Sequence, residues 1–549
     1  MSIKINLPLA PKTYLAAAYD DILRVLRLAF NQIQAATIDF FQGGSGAVGR
    51  SVQDKLREIP SVKDFGAVGD GVSDDTIAIQ RAIDAVKTAG TAYSLTIPEG
   101  TYRCTSTLNI TNALALTGQG VSPYESVGTR GNGSWLYFDH TGKGINIDGT
   151  TALSGITLDS FGTFRNQPAP GGGWTPNAHD YDIYIDNADV YIPDLMLLNP
   201  TKGIFITNGT AGRLEIGRLR GQAFQTMIRI SESYDVTKLN NIHQWPFWKD
   251  DTNVHAYTKS NLDVIYMERN DNPMLANVFT IFARAGLRFG LNAAGKTSKV
   301  HLVNADFDRG AYGVWVDSTV TSGVTGQLTN ITHQGETGLA GSKAVYIQGN
   351  DSQLDFVNFR TDLTNQNAVR VEGTGNNITF AGQTRLLNYD QSTAGFPAVE
   401  ALTGNVVRIE GMPDIAGGGG AGGRYGGAGT IYVDEWRAYT PTVTSGTGTI
   451  TTVGAVSGVF KRYDNTLSFN FEVNITTNGT GGGSVNVTVP DTITTTSSVA
   501  VGREVNASGK ILSGMLTSST ARCDLRNYDN TYPGADGTKF VATGSYRIA

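Results

Sequence analysis

Two aspartates, Asp306 and Asp308, stand two residues apart in LVNADFD (302–308). In an extended strand alternate side chains leave the same face, so these carboxyls would project together, about 6.6 Å apart. That separation lies at the short end of the range for inverting hydrolysis of a glycosidic bond, in which one carboxyl protonates the leaving oxygen and the other activates water. An acid on a neighbouring coil about 4.8 Å away, such as Glu336, would instead offer the roughly 5 Å separation of a retaining mechanism. The spacing does not choose between them, and two solvated aspartates would give the same sequence. A like charge beside Asp306 is one means of keeping a carboxyl protonated near neutral pH.

Other residue types suit related chemistry. Glu268 and Asp271 in MERNDNP (267–273) enter a turn, where a rigid scaffold often carries function, although an Asx turn at Asp271 reads equally well. His243 with Trp245, Phe247 and Trp248 could pack a sugar ring on aromatic planes beside a proton-transfer group, or could be an aromatic loop capping a hydrophobic stack. β-Elimination would need a base such as His243 or a tyrosine, with a cation for the uronate carboxylate from Arg269, Arg309 or Arg360. Trp174 lies in the long stretch PAPGGGWTPNAHDYD (168–182), a candidate groove wall.

These residues need a scaffold that repeats. A four-residue apolar frame recurs ten times, from GINI (144–147) through GVWV (313–316) and AVYI (344–347) to VVRI (406–409), at intervals of 21 to 38 residues. Irregular returns of short strands predict a β-solenoid whose longer turns project outward. A second series, opened by Leu239, Leu275, Leu302, Leu328 and Leu354, has Asn241, Asn277, Asn304 and Asn330 two residues after four of its leucines. Stacked amides of this kind satisfy turns. In that alignment Ile242/Gln244, Val278/Thr280, Ala305/Phe307, Ile331/His333 and Val357/Phe359 point mostly inward, while Asp306/Asp308 and Asn358/Arg360 point outward. His333 is thereby expected to be a buried, satisfied histidine.

Composition agrees with a large β-protein. The 549 residues include 67 Gly and only 17% charged residues, with a net charge of −6. That charge and the lack of long basic runs argue against a nucleic-acid partner. No apolar stretch is long enough for membrane insertion, and the first 30 residues lack the pattern of a cleaved export signal. Two cysteines, Cys104 and Cys523, make no disulfide framework. The scattered histidines form no zinc motif, and no metal or cofactor is called for.

Toward the N-terminus, Leu15, Tyr19, Ile22, Leu26, Ala29, Ile33, Ala36 and Phe40 alternate at four and three residues, the seam of a coiled coil or the buried face of one amphipathic helix. FFQGGSGAVG (40–49) reads as a break. In DFGAVGDGVSDDTIAIQRAI (64–83) the calcium-loop pattern fails, because Asp75 and Arg81 occupy the positions of the central glycine and the final glutamate. Asp74 and Asp75 instead stand where a helix cap belongs, with Gly90 as a stop.

SVKDFGAVGDGVSDDTIAIQRAID (61–84) followed by LTIPEGTY (95–102) resembles the opening of the right-handed parallel β-helix of the pectate-lyase-like superfamily, in the form found in bacteriophage tailspikes and capsule or O-antigen depolymerases. LNNIHQWPFWKD (239–250) is similar to the same group. The resemblance implies a mainly β homotrimer. Its parts would be a helical virion-attachment segment (1–60), a right-handed β-helix with a capping helix (61–415), a glycine-rich linker (416–430) and a C-terminal β-sandwich-like domain for trimerisation or carbohydrate binding (431–549). The implied partners are a bacterial surface polysaccharide, two further copies of the chain and a phage tail or adaptor protein. The implied location is the virion tail, after synthesis in the host cytoplasm. Hydrolysis by paired carboxylates leads, with polysaccharide lyase and non-cleaving adhesin as the other readings, since the fold alone fixes no reaction.

Overall fold

The computed structural model describes residues 16–31, 36, 38–89, 93–122, 131–208, 213–463, 465–494 and 498–548. The chain divides into two compact units, Met1–Arg284 and Ala285–Ala549.

The first unit opens with the helix Ala16–Asn31, on which Ile22, Leu26 and Ala29 are half-buried while Leu23, Leu28 and Phe30 are exposed. The heptad seam expected through Phe40 is shorter than the sequence suggests. Phe40 belongs to the strand Asp39–Phe40, which pairs antiparallel with Arg50–Ser51 across the glycine-rich break. Leu15 and Ile33 lie outside the described residues.

The acidic stretch that follows is architecture. Asp70 accepts from the N–H groups of Val72 and Ser73, and Asp74 accepts from Thr76 N, the first residue of the helix Thr76–Ala89. Asp75, 1% exposed, does not cap; its carboxylate accepts from Val68 N at 2.6 Å and Gly69 N at 3.0 Å and ties the preceding loop to the helix. Ile79, Ala82, Ile83 and Val86 are buried on the helix's inner face, as their spacing requires. Gly90 falls outside the described residues.

Three parallel ladders then build the solenoid of this unit. One runs through Gly100–Cys104, Ser134–Phe138, Phe161–Arg165, Leu195–Leu197, Leu219–Gly221 and the C-terminal halves of Lys238–Gln244 and Met274–Ile281. A second joins Leu108–Ile110, Ile145–Asp159, Tyr181–Ile192, Lys202–Thr207, Thr226–Ser233 and Asp263–Asn270. The third joins Ser94–Ile97 and Leu114–Gly118 to the later halves of the two long strands, then Leu214–Ile216 and the start of Lys238–Gln244. Like residues stack inside: Ile183, Ile204, Ile228 and Ile265 are in register and essentially inaccessible. The uneven intervals between frames arise from insertions, such as the helix Thr252–Asn261 between two ladders.

The corner between the third and first ladders is made by asparagines with left-handed backbones, a conformation that Asn tolerates better than other side-chain-bearing residues. Asn241 and Asn277 have φ of 51° and 56°, and Asn277 Nδ2 donates to Asn241 Oδ1 at 3.4 Å.

The second unit repeats this arrangement, with Asn304, Asn330 and Asn358 at φ of 57°, 56° and 55°. Here the sequence alignment slips by two residues. Leu328 pairs with Phe356 rather than Leu354, so Asn358 joins the amide ladder and Val357 faces half outward instead of into the core. The frame VVRI (406–409) also lies on the third ladder, while Val399–Ala401 continues the second. The glycine-rich stretch 416–430 packs as part of the last coil. Tyr425–Gly426 pairs with Val399–Glu400, and a Cβ on Gly419 would meet Asp390 O at 2.4 Å.

The strand Thr430–Tyr439 leaves the solenoid by pairing parallel with Val406–Ile409 and then turns antiparallel to Thr452–Tyr463. From there one continuous run of antiparallel pairings passes through Thr466–Thr477, Thr538–Arg547, Ser498–Glu504, Ile511–Leu516, Arg522–Asn527 and Gly482–Thr488 to Val443–Thr447. It surrounds a single core that includes Phe469, Phe471, Val485 and Phe540. Cys104 and Cys523 are both buried free thiols.

Candidate active site

The carboxylates of the second unit sit on the outer face of the first ladder. Val300–Asp308, Thr325–Gln334 and Gln353–Asp362 are in parallel register, which places Asp306 beside Thr332 and Thr332 beside Arg360. The neighbouring outward row is Asp308, Gln334 and Asp362. Asp306 and Asp308 thus share a face, as alternation demands. After the strand, Arg309 turns with φ 46° and donates from Nη2 to Glu336 Oε1 at 2.6 Å.

Both aspartate carboxyls are held above the ordinary carboxylate range. Asp306 is exposed at the surface; the partial desolvation imposed by its neighbours is the larger cause and the Asp308 charge adds to it, with Arg360 opposing. For Asp308 desolvation again leads, opposed by the N–H and charge of Arg309 and assisted by the charge of Glu336. Asp308 Oδ1 is buried without a hydrogen-bond partner, a condition that favours the protonated acid or a group brought in by substrate. The cluster therefore contains two carboxyls raised above their ordinary range, and a third, Glu336, oriented by an arginine.

The expected groups of the first unit are arranged differently. Glu268 is 5% exposed and held bidentately by Arg229 at 2.9 and 3.1 Å, and Asp271 is paired with Arg269. Both carboxylates are paired with arginines, as Glu336 is with Arg309, and Glu268 is in addition buried away from solvent. His243 packs edge-on against Phe279 and Phe247 at 5.2 and 5.3 Å, and burial, then the Arg220 charge, depresses its basicity. Trp245 packs on the cluster of Trp135, Met196, Leu198 and Phe247. Trp174, only 6% exposed, meets Trp248, Phe224 and Tyr257 and donates from Nε1 to Pro168 O at 2.9 Å. The aromatic loop is thus a cap over the strand ladder that pins the lateral loop. Trp174 is too enclosed to serve as a groove wall, and Trp245 and Trp248 keep only partly open surfaces. His333 is fully buried, with Nδ1 3.0 Å from the Thr361 hydroxyl, and burial depresses its pKa to about 4.

A further surface escaped the sequence reading. The third letter of each frame on the second ladder points outward, and in the second unit these letters stack as Arg288, Trp315, Tyr346, Arg370 and Glu400. Arg288 lies 4.4 Å over Trp315, and Tyr346 donates to Glu372 Oε2 at 3.1 Å. Lys343 lies 4.5 Å over Tyr346, and burial, with the charge of Arg370, lowers its pKa to about 8. The signal is present in GLRF, GVWV, AVYI and AVRV, whose third letters are all charged or aromatic. Among the described residues no group of three or more His, Cys, Asp or Glu side chains is arranged to hold a metal ion.

Residues 59–244 match the family model described as rhamnogalacturonase A/epimerase, pectate lyase-like. Its stacked parallel ladders make the chain a parallel β-helix, similar over residues 59–244 to the pectate-lyase-like family. Among curated proteins it is 64% identical over 45 residues to the mannuronan C5-epimerase AlgE1 of Azotobacter vinelandii, a match covering 8% of this chain and 3% of that enzyme's length. Among solved structures it is similar to the Dettilon tailspike protein, with 14% identity and a TM-score of 0.43 over 91% of this chain and 96% of that one. It is also similar to a variant tailspike protein of E. coli bacteriophage HK620 in complex with a pentasaccharide, with 10% identity and a TM-score of 0.40 over 95% of this chain and all of that one.

Proposed function

We propose that this protein is a tailspike-type depolymerase that binds a bacterial surface polysaccharide and hydrolyses its glycosidic bonds, acting as a homotrimer at the virion tail. The observation that carries the reading is the pair Asp306 and Asp308, which share one outward face and are both raised above the ordinary carboxylate range. Asp306 is assigned as general acid, protonating the leaving oxygen, and Asp308 or Glu336 as base or nucleophile on the other side of the bond. Arg309 orients Glu336, and Arg360, in the same outward row as Asp306, supplies a cation for substrate oxygens. The N-terminal helix, with Leu23, Leu28 and Phe30 exposed, is assigned to attachment or assembly.

The test is a panel of capsule and O-antigen preparations, followed for polymer length. Asp306→Asn should lower the cleavage rate by about 100-fold or more while retaining polymer binding. Full cleavage by both Asp306→Asn and Asp308→Asn would eliminate the pair. A non-cleaving adhesin is the second reading, favoured by the Trp315–Tyr346–Arg370 stripe. It predicts tight binding and unchanged polymer length.

A further inference from the structure

Where the strand Thr430–Tyr439 leaves the solenoid, a pocket of about 230 Å³ opens between the last coil and the antiparallel region. Arg437 and Arg462 both line it, with Asp491 as the only acidic side chain in the lining among the described residues. The register explains the meeting: Arg462 pairs with Val433, and Phe460, two residues earlier, pairs with Arg437.

The pocket's charge is unbalanced. Arg462 reaches Asp491 Oδ2 at 3.3 Å, while Arg437 donates from Nη2 to a neutral acceptor, Ile431 O. The Nε of each arginine is buried with no hydrogen-bond partner, an arrangement that costs free energy unless something compensates the charge. The nearby Glu435 is already engaged by Arg424 and the Tyr425 hydroxyl. Burial, with the Arg462 charge, depresses the basicity of Arg437, as two guanidiniums sharing one enclosure require. The rest of the lining combines the polar side chains of Tyr425 and Thr430 with apolar side chains and glycine backbone. Leu467, Phe460 and Pro490 line it together with Gly426, Gly427 and Gly429, and Arg437 lies 4.9 Å from the Tyr425 ring centre and 5.5 Å from that of Phe460.

Two arginines with unpartnered Nε atoms in a pocket that Leu467, Phe460 and Pro490 also line suit a ligand with a planar oxyanion attached to a ring. We propose that this pocket binds a carboxylate-bearing sugar residue, with Arg437 and Arg462 taking the carboxylate and the apolar lining residues taking the ring. The choice of a sugar over a free anion rests on the polysaccharide reading above. The site itself is distinct from the Asp306 cluster and gives the C-terminal region a recognition role.

Calorimetric titration of the whole protein with sodium glucuronate, glucose and inorganic phosphate tests this. Monosaccharides have no glycosidic bond to cut, so the result is independent of whether the Asp306 cluster cleaves polymer. The expected result is saturable binding of glucuronate, none of glucose, phosphate at least about tenfold weaker, and a loss of about tenfold in each of Arg437→Gln and Arg462→Gln. Phosphate binding as tightly as glucuronate would make the pocket a free-anion site and overturn the assignment. Absence of glucuronate binding to the unaltered protein, or binding unchanged in folded variants, would overturn it as well.

Discussion

Asp306 precedes Asp308 by two residues on the outward face of one strand, where partial desolvation and then the Asp308 charge hold the Asp306 carboxyl above its ordinary range. This arrangement works against stability at neutral pH, weakly, because solvent screens an exposed carboxylate. A carboxyl raised in the folded state binds its proton more tightly there than in the unfolded chain. Stability is therefore gained as pH falls through the folded value toward the unfolded one, and lost as pH rises through that window. Asp306→Asn should raise the neutral-pH melting temperature and reduce the gain seen on mild acidification, measured by thermal unfolding across pH. A lower melting temperature at neutral pH would show that the Asp306 charge stabilises the fold.

Glu504 has the opposite sign. Burial opposes its charge, but N–H groups of Ser508, Ala507, Asn506 and Gly509 hold its pKa down to about 2. Its contribution is present above the ordinary glutamate range and disappears as pH falls toward 2. Glu504→Gln should destabilise the C-terminal region by about 1–3 kcal/mol at neutral pH and narrow the difference from the unaltered protein in acid, read from denaturant unfolding.

The buried pair of Arg165 and Asp182 is joined at 2.7 Å, and both side chains are inaccessible. Arg165 also donates to His140 O at 2.8 Å, tying the start of the lateral loop to the coil beneath it. Arg165→Ala leaves the buried carboxyl of Asp182 without its counter-charge, with the Thr163 hydroxyl still donating to it, and should cost about 3–5 kcal/mol in denaturant unfolding. A cost under about 1 kcal/mol would mean that water or a proton replaces the arginine.

At the amide ladder, Asn330 donates to Asn304 Oδ1 at 3.0 Å and accepts from Asn358 Nδ2 at 3.1 Å. Asn330→Ala loses both bonds and the residue type that tolerates φ of 56°, so it should destabilise by about 1–3 kcal/mol. Asn330→Gly keeps the backbone conformation accessible and should cost less, a ranking that urea unfolding can read.

The solenoid was legible because its determinants are local and repeated. Apolar frames, leucines and asparagines return once per coil, and the inward placement of Ala305 and Phe307 followed from alternation alone. The slip at Leu354 came from a strand with apolar residues at both Leu354 and Phe356, either of which can open the repeat, and only the Asn358 amide fixes the register. The heptad pattern extended past the helix because Phe40 fell on the right phase while belonging to a hairpin strand. The roles of Glu268, Trp174 and Trp248 depend on partners far away in sequence, such as Arg229 and Phe224, which spacing does not announce. The Arg437–Arg462 pocket is likewise a product of strand register, with no motif in either segment.

The most direct measurement is the chemistry of the cut ends. The protein would be incubated with a surface polysaccharide that it binds, and reducing ends and ultraviolet absorbance of unsaturated uronates followed together, with Asp306→Asn alongside. Hydrolysis by the Asp306 cluster predicts new reducing ends, no new absorbance, and loss of both shortening and reducing ends in the variant. Absorbance rising with each cut, or undiminished cutting by Asp306→Asn, would contradict it.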